Sequence, residues 1–472
     1  MTSRIEDLPW MMATPVRPAA FVALRPEHAV HAVATAGVTV RSADEDHVLS
    51  DLQTNPDLSV LGRLGSGRAG IHRGKYLKGI GRTRLAANWA NPHDLYHHSG
   101  HQAPSGAIRE WLVSVFLEAK GAANLVTPCE GILVKPIEPV LRDYLLPQVA
   151  DAGLDLGDGE GIFASDLSLQ AISVKTADFC RFSNLVWLSL HVDLVGAGGL
   201  SLGAFARLFG ELVGESSTEP AALGAKVLAL LEKGLENLRR FWELGVLWGS
   251  LHNNIAIDGR YVDLEGPALV GRPLVGLVLA GEQARLELPH SQMLSGLCEA
   301  IGYALYAQMT VWFFRTRLEA FAAPGSPASA ADRELAHALA QGFVPREHVL
   351  FDRERLVARM AGWVRGVGDL GAKRMQALGQ TLRLIHDVHF GVRKPGRPQL
   401  ALRPHTALRA GPFTKPTTPH LFDFAPVPKV LVSDEADLVN GLLTKLDQIA
   451  DADSFLREAE AAAQAIRAYC RP

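Results

Sequence analysis

Leu61 to Arg82 reads LGRLGSGRAGIHRGKYLKGIGR, with glycines and a lysine spaced for work on phosphate. Gly62, Gly65 and Gly67 make a Gly-rich turn, and Lys78 follows eleven residues after Gly67. Glycine lets the backbone approach phosphate oxygens closely, and its N–H groups can cradle negative charge. A lysine on the next β-compatible run, Lys75-Tyr76-Leu77-Lys78-Gly79, would meet those oxygens as a compact point charge. The alternative is a surface hairpin with a solvated lysine, because glycine is common here, at 44 residues. Glu110 sits in the first turns of an amphipathic helix whose Ile108, Leu112, Val115 and Phe116 share one face. Its carboxylate could hold Lys78 in place, or could simply favour the positive end of the helix dipole. Far downstream, Asn253-Asn254 precedes a short hairpin that leads to Asp263-Leu264-Glu265-Gly266-Pro267. Asn254 and Asp263 would give two oxygen ligands for magnesium on a nucleotide. Asn253-Asn254 and Asp258-Gly259 also suit ordinary turns.

These groups need particular elements to bring them together. A glycine loop, a strand lysine, a helix glutamate and a late Asn/Asp pair occur in that order in protein kinases. Residues 58–88 read as two or three strands and residues 105–121 as a helix ended by Gly121. Leu125 to Glu138 reads as strands broken by a turn, residues 139–148 as helical, and Ile172 to Val174 as strand. Pro220 to Trp248 repeats Leu228, Leu231, Leu235, Leu238, Phe241 and Trp242 at helical spacing. Leu274 to Leu279 could add a short strand, Pro289 to Phe321 another helix, and helices follow to about residue 390. The expected class is α+β, a protein-kinase-like bilobal fold with a small β-rich lobe and a larger helical lobe. Residues 1–55 read as an irregular lead-in, 56–195 as the nucleotide-binding lobe and 196–392 as the helical lobe. Residues 393–472 read as an extended Pro-rich segment followed by helix.

Six runs then appear in order: Leu64–Ala69 (LGSGRA), Tyr76–Thr83 (YLKGIGRT), Ala107–Leu112 (AIREWL), Cys180–Ser183 (CRFS), Trp248–Asn254 (WGSLHNN) and Asp263–Pro267 (DLEGP). In these runs the chain resembles the selenoprotein O (YdiU) family of pseudokinase-fold adenylyltransferases. The resemblance covers roughly residues 60 to 270, and its first two motifs are the most specific. It implies ATP-binding in an inverted orientation, with Gly65, Gly67, Lys78, Arg68 and Arg181 around the phosphates and Lys175 standing where the family has an arginine. It implies Mg2+, with Mn2+ as the substitute, on Asn254 and Asp263. The catalytic set it implies is Lys78, Glu110 and the loop position of Asn253. Asn253 stands where the family carries an acid, and the final motif has gained a residue. Glu265 is therefore the nearby carboxylate that could assist an acceptor hydroxyl.

The expected function is that of a nucleotidyltransferase, moving AMP to a hydroxyl with release of pyrophosphate (AMPylation). The acceptor would be a protein, a peptide or a small molecule. A different ATP-dependent transferase or ligase on the same scaffold is a second reading. A non-catalytic pseudoenzyme that binds nucleotide and regulates a partner is a third. Lys+Arg of 47 against Asp+Glu of 50 leaves a net charge of −3, which offers no electrostatic reason for a nucleic-acid partner. The polar N-terminal run and the absence of an uncharged membrane-length stretch fit a cytoplasmic, bacterial protein with no membrane partner. The four cysteines, Cys129, Cys180, Cys298 and Cys470, are far apart and lack zinc-ligand spacing. Cys470 is either a redox group or an inert thiol. An insertion, Trp89 to His101, holds His93, His97, His98 and His101 with Asp94. It could ligate a metal, border the substrate as a lid, or be a solvated loop.

Overall fold

The computed structural model describes residues 12–15, 31–33, 47–50, 69–72, 75–79, 102–137, 142, 167–176, 179, 202–217, 219–247, 254–265, 267–269, 287–326, 328–343, 348–365, 371–392, 439, 442, 446 and 449–471. The expectations for Leu274 to Leu279 and for residues 393–428 lie outside these, as does nearly all of 139–148.

Seven strands form one antiparallel sheet: β1 (Met12–Pro15), β2 (His31–Val33), β3 (His47–Ser50), β4 (Ala69–His72), β5 (Lys75–Lys78), β6 (Cys129–Pro136) and β7 (Leu169–Thr176). Their order is β1-β3-β4-β5-β7-β6-β2, so β5 and β7 occupy the middle. β7 is buried along nearly its whole length, as a central strand covered on both faces must be. Alternation places Ala171, Ser173 and Lys175 on one face, and Gln170, Ile172 and Val174 on the other. The register pairs Tyr76 with Lys175 and Lys78 with Ser173. Two lysines on adjacent strands therefore come to the same region of the sheet, although nothing local to either strand demands it. β6 is one strand where the sequence suggested two. The Cys129-Glu130-Gly131 run is absorbed as a register shift against β7 rather than as a turn. Glu130 pairs with Lys75 at 2.5 Å.

α1 (Pro104–Ala119) packs across β6 and β7. Pro104 at its first positions suits a missing N–H, and Gly121, at φ 68°, ends it as expected from the sequence. Its buried residues include Ala107, Ile108, Trp111, Leu112, Val115 and Phe116, with Glu110 among them. The other helices are α2 (Leu202–Val213), α3 (Pro220–Leu244), α4 (Glu287–Ala322), α5 (Ala330–Gly342), α6 (Arg353–Arg365), α7 (Gly371–Val392) and α8 (Ala452–Cys470). α3 stops at Leu244, short of Trp248, because Gly245 turns left-handed at φ 76° and donates its N–H back to Phe241 and Trp242. A short ribbon, β8 (Val246–Leu247) with β9 (Ala268–Leu269), follows. α8 buries Phe455, Leu456, Ala459, Ala463 and Ile466 at helical spacing and packs on α1 and β6. The chain is thus a mixed fold of an antiparallel sheet and many helices. No described helix is long and apolar enough to cross a membrane.

Residues 254–262 form the expected hairpin. Ile255 bridges Tyr261, Gly259 takes φ 81°, and the Val262 N–H donates to the Asn254 carbonyl at 2.9 Å. Tyr261 pins it to α3 through its hydroxyl, which donates to the Gly234 carbonyl at 3.1 Å. The Asn237 amide reaches the Gly259 carbonyl at 2.7 Å. On its other side, backbone bonds from Thr127 to Tyr261 (2.8 Å) and from Tyr261 to Leu125 (2.9 Å) tie the hairpin to the loop after α1.

One histidine gives the helical part a pH dependence. His348 Nε2 lies 3.1 Å from Glu232, and its Nδ1 accepts the Leu350 N–H at 3.4 Å. Burial lowers its pKa below 6.5, and the opposing pull of Glu232 does not cancel this. As pH falls, the unfolded chain therefore takes up this proton before the folded one does. The contribution is fully present above the ordinary histidine value and is lost as pH drops through 6.5 toward the lowered folded value. The unfolding free energy from urea titrations between pH 7.5 and about 5.5 should fall more in wild type than in His348→Gln, by at most about 1.4 kcal/mol per pH unit. Parallel curves would show that His348 does not supply the dependence.

Candidate functional site

Lys78 ends β5, and Gly79 immediately turns the chain left-handed at φ 96°. A Cβ at Gly79 would lie 2.6 Å from the Ala171 carbonyl oxygen and 2.7 Å from Gln102 Cβ, so glycine is required by both conformation and space. This close approach lets Gln102 bridge to Ala171 at the edge of the site. Lys78 is buried, and its Nζ reaches Asp263 Oδ1 at 2.5 Å, Glu265 Oε1 at 2.9 Å and Glu110 Oε2 at 3.9 Å.

Glu110 is 0% exposed and Lys175 is 1% exposed, and the two form an ion pair through Glu110 Oε1. That same oxygen accepts the Leu264 N–H at 3.2 Å. Glu110 thus has a closer cation than Lys78, because the β5–β7 register brings Lys175 beneath α1. Lys175, expected near nucleotide phosphate, here neutralises the helix glutamate. Lys78, expected to pair first with Glu110, is held more closely by the acids after the hairpin.

Asp263 has φ 68°, the one non-glycine residue with positive φ among the described residues. Aspartate tolerates this region better than most residues, but it still carries strain, and such strain collects at working sites. The turn it makes folds Leu264 and Glu265 back onto the start of α1. A Cβ on Gly106 would stand 3.2 Å from Glu265 Oε1. Arg109 donates to the Pro267 carbonyl at 3.2 Å. α1 therefore grips the Asp263–Pro267 segment at Gly106, Arg109 and Glu110.

Gln102 closes the cluster. Its Oε1 accepts from the Ser173 N–H at 3.1 Å and from the Ser173 hydroxyl at 2.8 Å. Its Nε2 donates to Glu265 Oε1 and lies 3.4 Å from Glu110 Oε2. Neither Gln102 nor Ser173 stands out by residue pattern. Gln102 follows a His-rich run of sequence and Ser173 sits mid-strand, positions that carry no local signal for such a role.

The ligand atoms of Glu110, Asp263 and Glu265 lie within 4.8 Å of one another. Among the described residues of the cluster, three carboxylates against two lysines leave one formal negative charge. All the donors are hard oxygens, the chemistry that magnesium or manganese takes. Asn254 stands at the base of the hairpin, its carbonyl bonded to the N–H of Val262, the residue before Asp263. Gly65, Gly67, Arg68, Arg181 and Asn253 lie outside the described residues, as does the histidine insertion.

Cys129 borders the cluster, with its N–H on Ser114 Oγ at 2.8 Å. Burial, reinforced by the Glu110 charge, pushes its thiol up to about 12, so it stays protonated and unreactive at neutral pH. Cys470 is likewise buried, and burial raises its pKa. Both are free thiols. A charged groove between α3 and α6, lined by Glu232, Glu236, Arg239, Arg359 and Trp363 among others, shares no residue with the cluster.

No protein-family model matches this sequence, and no curated protein matches it. The chemistry of the site therefore rests on its own residues.

Proposed function

We propose that this chain is an ATP-dependent nucleotidyltransferase that moves AMP to a hydroxyl acceptor. The observation that carries the reading is the meeting of Lys78 with Asp263 and Glu265, at 2.5 and 2.9 Å, beside Glu110 from α1. These are the strand lysine, post-hairpin acid and helix glutamate that the sequence resemblance picks out. They come from segments far apart along the chain. The finer architecture goes with the reading: a kinase-like pair of lobes, the sheet with α1 and α8 in one and helices α2 to α7 in the other. Nucleotide would lie between them, held by Gly65, Gly67, Arg68 and Arg181.

A divalent ion fits the donor set. Asp263 and Asn254 would hold it, and once bound it would neutralise phosphate charge. The chain's own residues do the rest. Lys78 sets positive charge against the phosphates. Glu110, fixed by Lys175, orients the Asp263–Glu265 turn. The acceptor oxygen forms a bond to the α-phosphorus while the bond from that phosphorus to the α,β-bridging oxygen breaks. Pyrophosphate leaves with that electron pair, and the hydroxyl proton passes to the Glu265 carboxylate.

The test is the full chain incubated with Mg2+ and ATP labelled at either end. The expected result is covalent α-label on an acceptor, including the chain itself, with γ-label recovered as pyrophosphate. Transfer of γ-label alone would replace this reading with phosphoryl transfer. Bound nucleotide with neither label moved nor ATP consumed would make the chain a non-catalytic regulator.

A further inference from the structure

Among the groups around Lys78, Gln102 has an arrangement that the reaction above does not use. It is 1% exposed. Its amide is oriented without ambiguity, because only an oxygen can accept the Ser173 backbone N–H at 3.1 Å. The Ser173 hydroxyl adds a second anchor at 2.8 Å. The amide nitrogen therefore has to point away from β7, where it meets the Glu265 carboxylate and approaches Glu110 Oε2 at 3.4 Å. Gln102 is itself held by its backbone, since its carbonyl accepts the Ala171 N–H at 3.2 Å and its Cβ fills the space left by Gly79. A rigid strand thus fixes an amide, and the amide fixes a carboxylate on a segment 163 residues away.

We infer that Gln102 is the positioning residue for Glu265, transmitting the geometry of β7 to the carboxylate that faces the acceptor. The inference rests on the proposed role of Glu265 and adds to it the means of its placement. Glu265 Oε1 receives both Gln102 and Lys78, the latter at 2.9 Å, so the two donors together select one side-chain rotamer. A carboxylate on a turn bearing a strained aspartate needs such an external reference. Misplacement by about 1 Å is enough to cost roughly 100-fold in rate. Gln102 touches no reacting atom, so its loss should act on the rate of the bound complex and not on nucleotide affinity.

The experiment compares wild type, Gln102→Met, Glu265→Ala and the double variant in the full chain. Methionine keeps the length and removes both hydrogen-bonding atoms. In steady-state ATP consumption, Gln102→Met should lower kcat by about 10- to 100-fold and leave KM for ATP within about twofold. A wild-type kcat, or a raised KM with unchanged kcat, would overturn the inference. The same four proteins in urea give a double-mutant cycle that is readable whether or not the chain consumes ATP. There, Gln102 and Glu265 should be coupled by about tenfold in the unfolding constant. Additive effects would overturn the positioning role. An inactive wild type with intact coupling would defeat the proposed reaction and leave the positioning role standing. Should Gln102→Met fail to fold, Ser173→Ala takes its place. It removes the 2.8 Å anchor alone and should lower kcat in the same direction by a few-fold, with KM unchanged.

Discussion

Lys78→Met should lower ATP turnover by about 10²–10³-fold, the usual loss when a fixed charge that stabilises developing phosphate charge is removed. The variant should also be less stable, which separates it from a lysine on a solvated hairpin. Lys78 Nζ stands between Asp263, Glu265 and Glu110 at 2.5, 2.9 and 3.9 Å, and its side chain is only 5% exposed. Without it, Lys175 is the one lysine left beside these three carboxylates among the described residues. A divalent ion can then take over the lost cation's position. Melting temperature should accordingly rise more with added Mg2+ in Lys78→Met than in wild type. Turnover is read below the variant's own unfolding transition, checked by circular dichroism. A folded Lys78→Met with full turnover would remove this cluster from the reaction.

Glu110→Gln should cost the fold about 3–5 kcal/mol, the scale for removing one partner of a buried ion pair. The penalty comes from Lys175, which is 1% exposed and would lose the carboxylate it pairs with. The neutral amide would also be a weaker acceptor for the Leu264 N–H, now at 3.2 Å, and so loosen the turn that carries Asp263 and Glu265. The double variant Glu110→Gln/Lys175→Met should recover much of the lost stability, because no buried charge remains unpaired. Urea unfolding of the two singles and the double decides the matter. A double variant as unstable as Glu110→Gln would show that the pair is not the source of the loss.

The parts of this site that could be read from sequence are those carried by local pattern. Lys78 follows a glycine turn, Glu110 occupies an amphipathic helix, and Asp263 follows a hairpin marked by Asp258-Gly259. What could not be read depends on pairing between distant segments. Lys175 finds Glu110 because β7 lies beside β5 in one register, and a shift of one residue would have turned it to the opposite face. Gln102 meets Glu265 only after Gly79 has let the chain pass close to Ala171. The fold shows the same division. The helix read over Pro220 to Trp248 was legible from apolar spacing and runs Pro220–Leu244, and the one read over Pro289 to Phe321 falls within Glu287–Ala322. The continuity of β6 was not, because Cys-Glu-Gly reads equally as a turn and as a bulge.

α8 lies against α1, the helix that bears Glu110, although hundreds of residues separate them along the chain. On the ribosome, α1 is synthesised early and has to wait for its outer support until residues 452–470 have emerged. Until then its apolar flank stays open to chaperones and to other nascent chains. Docking across so long a stretch is slow compared with local helix formation. The helix that carries Glu110 thus completes its packing late in biosynthesis, and a truncated translation product carries it without that partner.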